Sequence, residues 1–561
     1  MKKYLSVTKP TTFFTWLMAV SGLGSILLCS LIATGHLLLT PWRELYLFNA
    51  DSLTLALFAK SLLSGEALSW KFSSQIFFFP ELFLYIFCYV LTPSIEWSFI
   101  ANSFVNLWLW VALTYLLARA IGLTRLNGLL VAVISAAWIA FCVVLEPQPY
   151  VNVTALVTLI LFNTYYFGAV LTTITVALLT CLLINDEPRD RSKAATRKIL
   201  ILSLAVVLSA LTYFSNPMFL LQCSIPFLVT LGLLRFLSKI TKEFFYLLAL
   251  TQCLALGLGQ ALRYIFREHI GRSTNRYIHL KSFVEGIDGV LENLRLAFST
   301  FHSALEYACV GTLLLLSGWV ALNLFKDARR DARLKQALAC SSSQFCLLFL
   351  SLSAWLTLLG TIVSGNFLMR YFLPVGLFPL LVVVYFCSKR YARLGSRFEL
   401  LLLPLTLCTP VILWSISNAI ETNSASFAWL TQWRGVEHYE PVQCFNRHMK
   451  KEHFNAVGSF WTSRALDGYG SPSSRVLQVS ETLEPVHWLT NRANFQSTKI
   501  NGVIVNRKGP DQAKVSGNIY QDDVVALGAP ANIFRCNDFD IYFYPDDSEG
   551  FKTLSRLVRR S

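Results

Sequence analysis

The sequence predicts a polytopic α-helical membrane protein of about eleven spans with a soluble α/β domain at its C-terminal end. Three observations lead there. Of 561 residues, 54% are hydrophobic and only 14% charged, a balance that excludes a wholly soluble chain. Apolar runs of about 20 residues recur, each long enough to cross ~30 Å of hydrocarbon. Beyond residue 418 the runs shorten to strand length and are punctuated by Gly, Pro, Asn and Asp. The chain therefore divides into a membrane part, 1–418, and an external α/β domain, 419–561.

Charge orients the spans. The chain carries 48 Lys+Arg and 33 Asp+Glu; 16 and 15 of these lie beyond residue 418, leaving 32 and 18 in the membrane part. That excess sits in short loops, as the positive-inside rule requires, so the net charge of +15 calls for no nucleic-acid partner. Lys2, Lys3 and Lys9 place the N-terminus in the cytoplasm. The first apolar run, 13–32, is too long for a signal-peptide core and has no small-residue cleavage site, so it reads as a retained helix. Spans are expected at 13–35, 98–118, 127–145, 156–184, 199–214, 218–235, 244–263, 305–325, 344–364, 371–388 and 398–418. This arrangement puts 22 of the 32 basic residues of the membrane part inside, with 329–333 and 389–397 the clearest markers. The segment 77–90 is apolar but short and interrupted by Pro80 and Glu81, so it reads as a juxtamembrane or re-entrant helix.

Three external loops draw notice. The first, 36–97, holds Asp51 in otherwise neutral surroundings. An acid at a membrane surface beside many helices needs a task or a partner. It can take a proton as a general base, or it can cap the helix that follows. The second, 264–304, breaks the charge rule with Arg263, Arg267, Arg272, Arg276, Lys281 and Arg295. It reads as a patch for a lipid phosphate or anionic headgroups, or as a solvated amphipathic helix. The third is very short and leaves Arg370 at the membrane face beside Tyr371 and Pro374. An Arg fork there suits a phosphate.

In the C-terminal domain, strands are expected at 456–461, 476–479, 503–505 and 541–544, and helices at 441–451 and 549–559. Neither a nucleotide-binding glycine pattern nor a GxSxG elbow occurs. Of 13 cysteines, only Cys444 and Cys536 fall here. They form one disulfide in an oxidising compartment or remain two thiols. No CxxC or Cys/His metal spacing stands out.

The first loop resembles that of the GT-C membrane glycosyltransferases, in particular the protein O-mannosyltransferase and lipid A aminoarabinose transferase branch. Asp51 stands where that family has the first acid of an Asp-Glu pair. Ser64-Gly65-Glu66 and Trp70 match its turn, and Phe79-Pro80 with Leu82 its proline-rich start of a helix. Leu116-Leu117-Ala118-Arg119 resembles the end of the next span, and Arg370-Tyr371-Phe372-Leu373-Pro374 an Arg-Tyr-x-x-Pro start of a late one. The second acid is Ser52 here and the second proline Glu81. The resemblance implies a glycosyltransferase of a bacterial inner membrane. Its donor would be a polyprenyl-phosphate-linked sugar, used on the periplasmic face, and its acceptor a lipid, glycan or protein. Asp51 would be the catalytic base, and Arg370, Tyr371, Glu81, Arg267 and Arg272 substrate contacts. Some branches use a divalent metal, for which a single Asp offers little, and the residues themselves name no cofactor. A transporter or lipid flippase, or a non-catalytic scaffold, remains as an alternative reading of the same spans.

Overall fold

The computed structural model describes residues 12–92, 94–146, 156–185, 191–271, 280–333, 340–365, 368–391, 435, 439–449, 454–471, 474–507 and 514–559. Helix α1, Thr12–Leu39, leads through a π-helical turn at Glu44–Phe48 to α2, Ala50–Leu63, and a short strand β1, Trp70–Lys71. Then follow α3 (Phe83–Leu91), α4 (Ile95–Ala120), α5 (Arg125–Leu145), α6 (Phe167–Ile184), α7 (Arg191–Ser215), α8 (Ile225–Phe236), α9 (Lys242–Ile265), α10 (Leu280–Ala297), α11 (Phe301–Arg333), α12 (Ser342–Ser364) and α13 (Leu373–Tyr391). Among the described residues nine helices are long and apolar enough to cross a membrane: α1, α4, α5, α6, α7, α9, α11, α12 and α13.

Nine of the eleven expected spans are thus met. The expected span 218–235 is a shorter apolar helix, Leu220–Phe236, opened by a π-helical turn. The span 398–418 lies outside the described residues. The segment 77–90 is a short apolar helix, Phe78–Leu91. The expected span 156–184 is α-helical only from Phe167; before it the chain is fully buried and, apart from a 3₁₀ turn at Thr158–Leu161, irregular. Buried irregular backbone survives only if its polar groups find partners. They do. Glu146, at the end of α5, accepts from the N–H groups of Leu156, Val157 and Thr158 at 2.8, 3.1 and 3.3 Å. Asn106 on α4 donates to the carbonyls of Ile160 and Phe162 at 3.1 and 3.0 Å.

The outward faces of α7, α9 and α11 carry exposed apolar side chains such as Leu200, Leu250, Leu258 and Leu322, as helices bathed in hydrocarbon should. Loop ends sort into two groups. At one end Phe72 bridges to Ile270, and Arg263 donates to the carbonyls of Phe214 and Ser74, each at 2.8 Å. At the other, Asn185 and Ser342 both donate to the Ala120 carbonyl, at 2.6 and 3.2 Å, and Cys340 N–H reaches the Lys239 carbonyl at 2.9 Å. These are the loops that charge assigns to opposite sides. Helix α10 shows Val284, Ile287, Leu291 and Leu294 on an exposed stripe, spaced as one helix face, the amphipathic pattern that suits a membrane surface. Gly286 lets it dock on α12: a Cβ there would lie 2.0 Å from the Ile362 carbonyl oxygen.

The C-terminal region runs α14 (Glu440–Met449), β2 (Ala456–Gly458), α15 (Phe460–Tyr469), β3 (Val476–Gln478), β4 (Thr490–Asn491), α16 (Ala493–Ser497), β5 (Gly502–Asn506), β6 (Asn532–Arg535), β7 (Phe539–Phe543) and α17 (Glu549–Val558). Five strands form a sheet in the order β3-β2-β5-β7-β6, parallel across β3-β2-β5 and antiparallel beyond. The strand expected at 456–461 stops at Gly458, because Ser459 caps α15 by accepting from the Thr462 N–H at 3.3 Å. Cys444 and Cys536 are joined in a disulfide.

This region sits on the first loop. β1 pairs antiparallel with β4, Trp70 opposite Asn491 and Lys71 opposite Thr490. Helix α15 packs on α2, with Gly468 bringing its backbone close to Leu53 and Leu57. Tyr469 donates to the Leu47 carbonyl at 2.9 Å, and Lys60 to the Asp467 carbonyl at 3.2 Å. Glu66 pairs with Arg475, whose other nitrogen lies 3.8 Å from Asp467.

Candidate active site

Helix α2 starts at Ala50, two residues earlier than an Asp51 cap would place it. Its cap is Asn49, whose side chain accepts from the Asp51 N–H at 2.9 Å. Asp51 therefore lies in the first turn and is not the cap. Its carboxylate makes no hydrogen bond or ion pair among the described residues, and it is half-buried against a cavity of ≈110 Å³. Thr54 stands one turn on. Ser73, Gln75 and Phe77 form another wall, Thr164, Tyr165 and Tyr166 a third, and Arg370 a fourth. Trp488 and Leu489 complete it from the C-terminal region.

The backbone of these walls is strained. Among the described residues six non-glycines have positive φ, and four of them line this one cavity: Phe77 at 56°, Tyr165 at 51°, Tyr166 at 73° and Leu489 at 57°. Bulky residues in that region cost about 1–3 kcal/mol each. Neighbouring packing has to hold them, and such residues cluster where geometry serves function.

Two guanidinium groups flank Asp51. Arg370 rides on a 3₁₀ turn, Met369–Tyr371, held by Gln222, which donates to the Tyr371 carbonyl at 3.1 Å. Its Nε is buried without a partner. Arg464, on α15, is buried; it donates to Thr54 Oγ1 at 3.3 Å and lies over Trp70 at 5.8 Å. Burial raises the Asp51 pKa above the usual carboxylate range, and the charges of Arg370 and Arg464 pull against that rise. Burial works against the charge on Arg370 too, but Tyr166, Tyr371 and Asp51 outweigh it, so it holds its proton more tightly than usual. A base of raised pKa beside a fixed cation is the arrangement that proton abstraction with a departing anion requires.

A second cavity, of ≈800 Å³, adjoins the first at Gln75. Its walls are mostly apolar: Pro217, Met218, Leu220, Leu221 and Ile225 on one side, Gly360 and Val363 on another. Arg263, Tyr264 and Arg267 stand on the α9 side, and Tyr371 turns into it from the residue after Arg370.

Asp51 and Arg370 thus meet at the small cavity, while Tyr371 and Arg267 line the large one. The Arg267 side chain is largely exposed, 3.6 Å from Glu268. Arg272 lies outside the described residues. Glu81 lines neither cavity: it is buried, accepts from the Gly168 N–H at 3.0 Å, and is pushed up to about 8 by that burial. Glu66 is occupied by Arg475. Sequence reasoning missed Thr164, Tyr165 and Tyr166, which lie inside an apolar run, and Arg464 and Trp488, which a separate region delivers. Nothing local marks any of them.

The divalent metal implied by the resemblance fits poorly here. A hard cation wants several oxygen ligands. Asp51 is the only carboxylate among the described residues lining the small cavity, and two guanidinium charges act on it. Cys444, His448 and Cys536 also converge, with ligand atoms within 4.8 Å. Cys444 and His448 are four residues apart on α14, a spacing the sequence reading passed over. The two sulfurs are bonded to each other, however, and a disulfide offers no thiolate to a metal.

Fold and site together define a multi-pass membrane protein whose soluble region closes over its first loop. That architecture is similar to the crystal structure of ArnT from Cupriavidus metallidurans bound to undecaprenyl phosphate, with a TM-score of 0.53 over 95% of this chain and 98% of that one, at 13% identity. ArnT is a lipid A aminoarabinose transferase of the GT-C superfamily, so the fold is the one the first-loop motifs led us to expect. No family model and no curated relative matches the chain.

Proposed function

We propose that the protein is a GT-C glycosyltransferase that moves a sugar from a polyprenyl phosphate to an acceptor hydroxyl or amine. One observation carries this reading: a small cavity lined by an unpaired carboxylate, an arginine and several hydroxyls opens beside a large, mostly apolar one with arginines on its wall. The polyprenyl chain lies in the large cavity. Its phosphate meets Arg370, with Arg263 or Arg267 on the lipid side. The anomeric carbon then faces Asp51. Asp51 takes the acceptor's proton as the acceptor attacks that carbon from the side opposite the phosphate. The carbon–oxygen bond to phosphate breaks, its electron pair stays on the polyprenyl phosphate, and the configuration inverts. Arg370 stabilises the charge that develops on the leaving oxygen. The undecaprenyl phosphate of the ArnT structure supports a carrier of this class. The positive-inside rule supports a cytoplasmic N-terminus and an external 419–561 domain, and the family resemblance supports a bacterial inner membrane with that domain in the periplasm.

The test is transfer in membranes from a radiolabelled polyprenyl-phosphate sugar pool, comparing wild type with Asp51→Asn at matched expression. Loss of transfer in a folded variant supports both enzyme and base. Persistent transfer removes Asp51 from the chemistry. No transfer by wild type from any donor favours a transporter or scaffold.

A further inference from the structure

Among the described residues lining the small cavity, Trp488 is the one exposed aromatic, at 41%. A tryptophan left that open at the mouth of a polar cavity calls for a partner. Its position is not accidental slack. Gln478, buried at the end of β3, donates to the Val486 carbonyl at 2.7 Å and also to that of Trp488, pinning the loop at two points. Leu489 follows in the left-handed region and wedges beside Ala50, next to Asp51 in sequence, and Phe460. Phe460 also supports the indole ring, centroid to centroid 4.8 Å. The loop is built to hold an indole at this opening.

The chemistry opposite identifies what it meets. Thr164 and Arg370 line the cavity; Thr164 is 97% buried, and its Oγ1 and the Arg370 Nε have no hydrogen-bond partner. Buried polar groups without partners are rare and are satisfied by a ligand or water. A ligand touching these groups at its edge and an indole on its face has hydroxyls around its rim and C–H groups on its flat sides. That is a pyranose. We propose that Trp488 is the platform on which the donor's sugar ring stacks, so that the C-terminal region supplies the residue that reads the sugar. This rests on the transferase reading above and names its selectivity element.

The test uses the full-length protein in detergent or nanodiscs, with Trp488→Ala and Trp488→Phe. Binding of the polyprenyl-phosphate sugar and of bare polyprenyl phosphate is measured by calorimetry, and KM for donor and acceptor by transfer. Trp488→Ala should weaken the sugar-bearing lipid about 10-fold, leave the bare carrier unchanged, and raise donor KM; Trp488→Phe should recover most of the loss. Equal weakening of both lipids overturns the proposal, since the indole then holds the carrier. An effect confined to acceptor KM overturns it in favour of an acceptor sugar. Unchanged binding of both lipids by a folded variant overturns it outright. Binding reads the indole contact even if wild type transfers nothing, and that failure would strike the transferase reading instead.

Discussion

The two cavities are built in opposite ways. The large one is walled by helix faces and short turns, mostly apolar in surface, and among the described residues none of the positive-φ non-glycines lines it. The small one draws on five separate stretches of chain, carries most of the strained backbone among the described residues, and mixes acid, base and hydroxyl groups. A long flexible lipid is held by volume and apolar area, which tolerate variation in detail. A reacting centre is held by fixed dipoles whose direction matters, and strain is the cost of fixing them. Substitutions in the two cavities should therefore fail differently: in the small one through the chemical step, in the large one through affinity.

The sharpest break is Asp51→Asn, which should lower kcat by about 10²–10⁴-fold with thermal melting unchanged; a loss of stability of matching size would make Asp51 structural. Next is Arg370→Lys. A point charge replaces the fork, and kcat should fall about 10–100-fold while donor KM moves less; an effect on KM alone would assign Arg370 to the lipid side. In the large cavity, Val363→Trp should raise donor KM several-fold by filling space, with kcat kept. A drop in kcat instead would show the two cavities to be one functional unit.

The pH profile sharpens the contrast further. Burial raises the Asp51 pKa, so its base form is lost on acidification at a higher pH than for an exposed aspartate. The acid limb of kcat/KM should lie above the ordinary aspartate value. Arg464 lowers that pKa, so Arg464→Gln should move the limb upward and Arg464→Lys should largely restore it. The smallest expected effect is on the seam outside both cavities: Glu66→Gln should cost about 1–3 kcal/mol of stability, read by chemical denaturation, with kcat kept.

The spans were legible because hydrocarbon imposes one length and one composition on every crossing. Asp51 and Arg370 stood out because charge is rare in such a chain, and both line the small cavity. The breaks came where tertiary partners overrule local pattern. Residues 156–166 are apolar enough to continue a span, yet Glu146 and Asn106 satisfy their backbone and allow an irregular path. Asn49 displaced Asp51 as cap because its side chain reaches the Asp51 N–H. Arg464 and Trp488 gave no local sign, since their meaning comes only from a contact with α2 and its cavity.

The pairing of β1 with β4 has a consequence for biosynthesis. The Ser69 N–H meets its acceptor on Asn491, 422 residues further along the chain. At ordinary rates of translation the first loop emerges roughly 20–80 s before its partner strand exists. Until then the cavity has no roof and β1 is an unpaired edge. The nascent chain can be inserted and its bundle assembled, but the site is completed only after residue 491 has been made. A cell that stalls synthesis before residue 490 accumulates an inserted bundle whose cavity stays open.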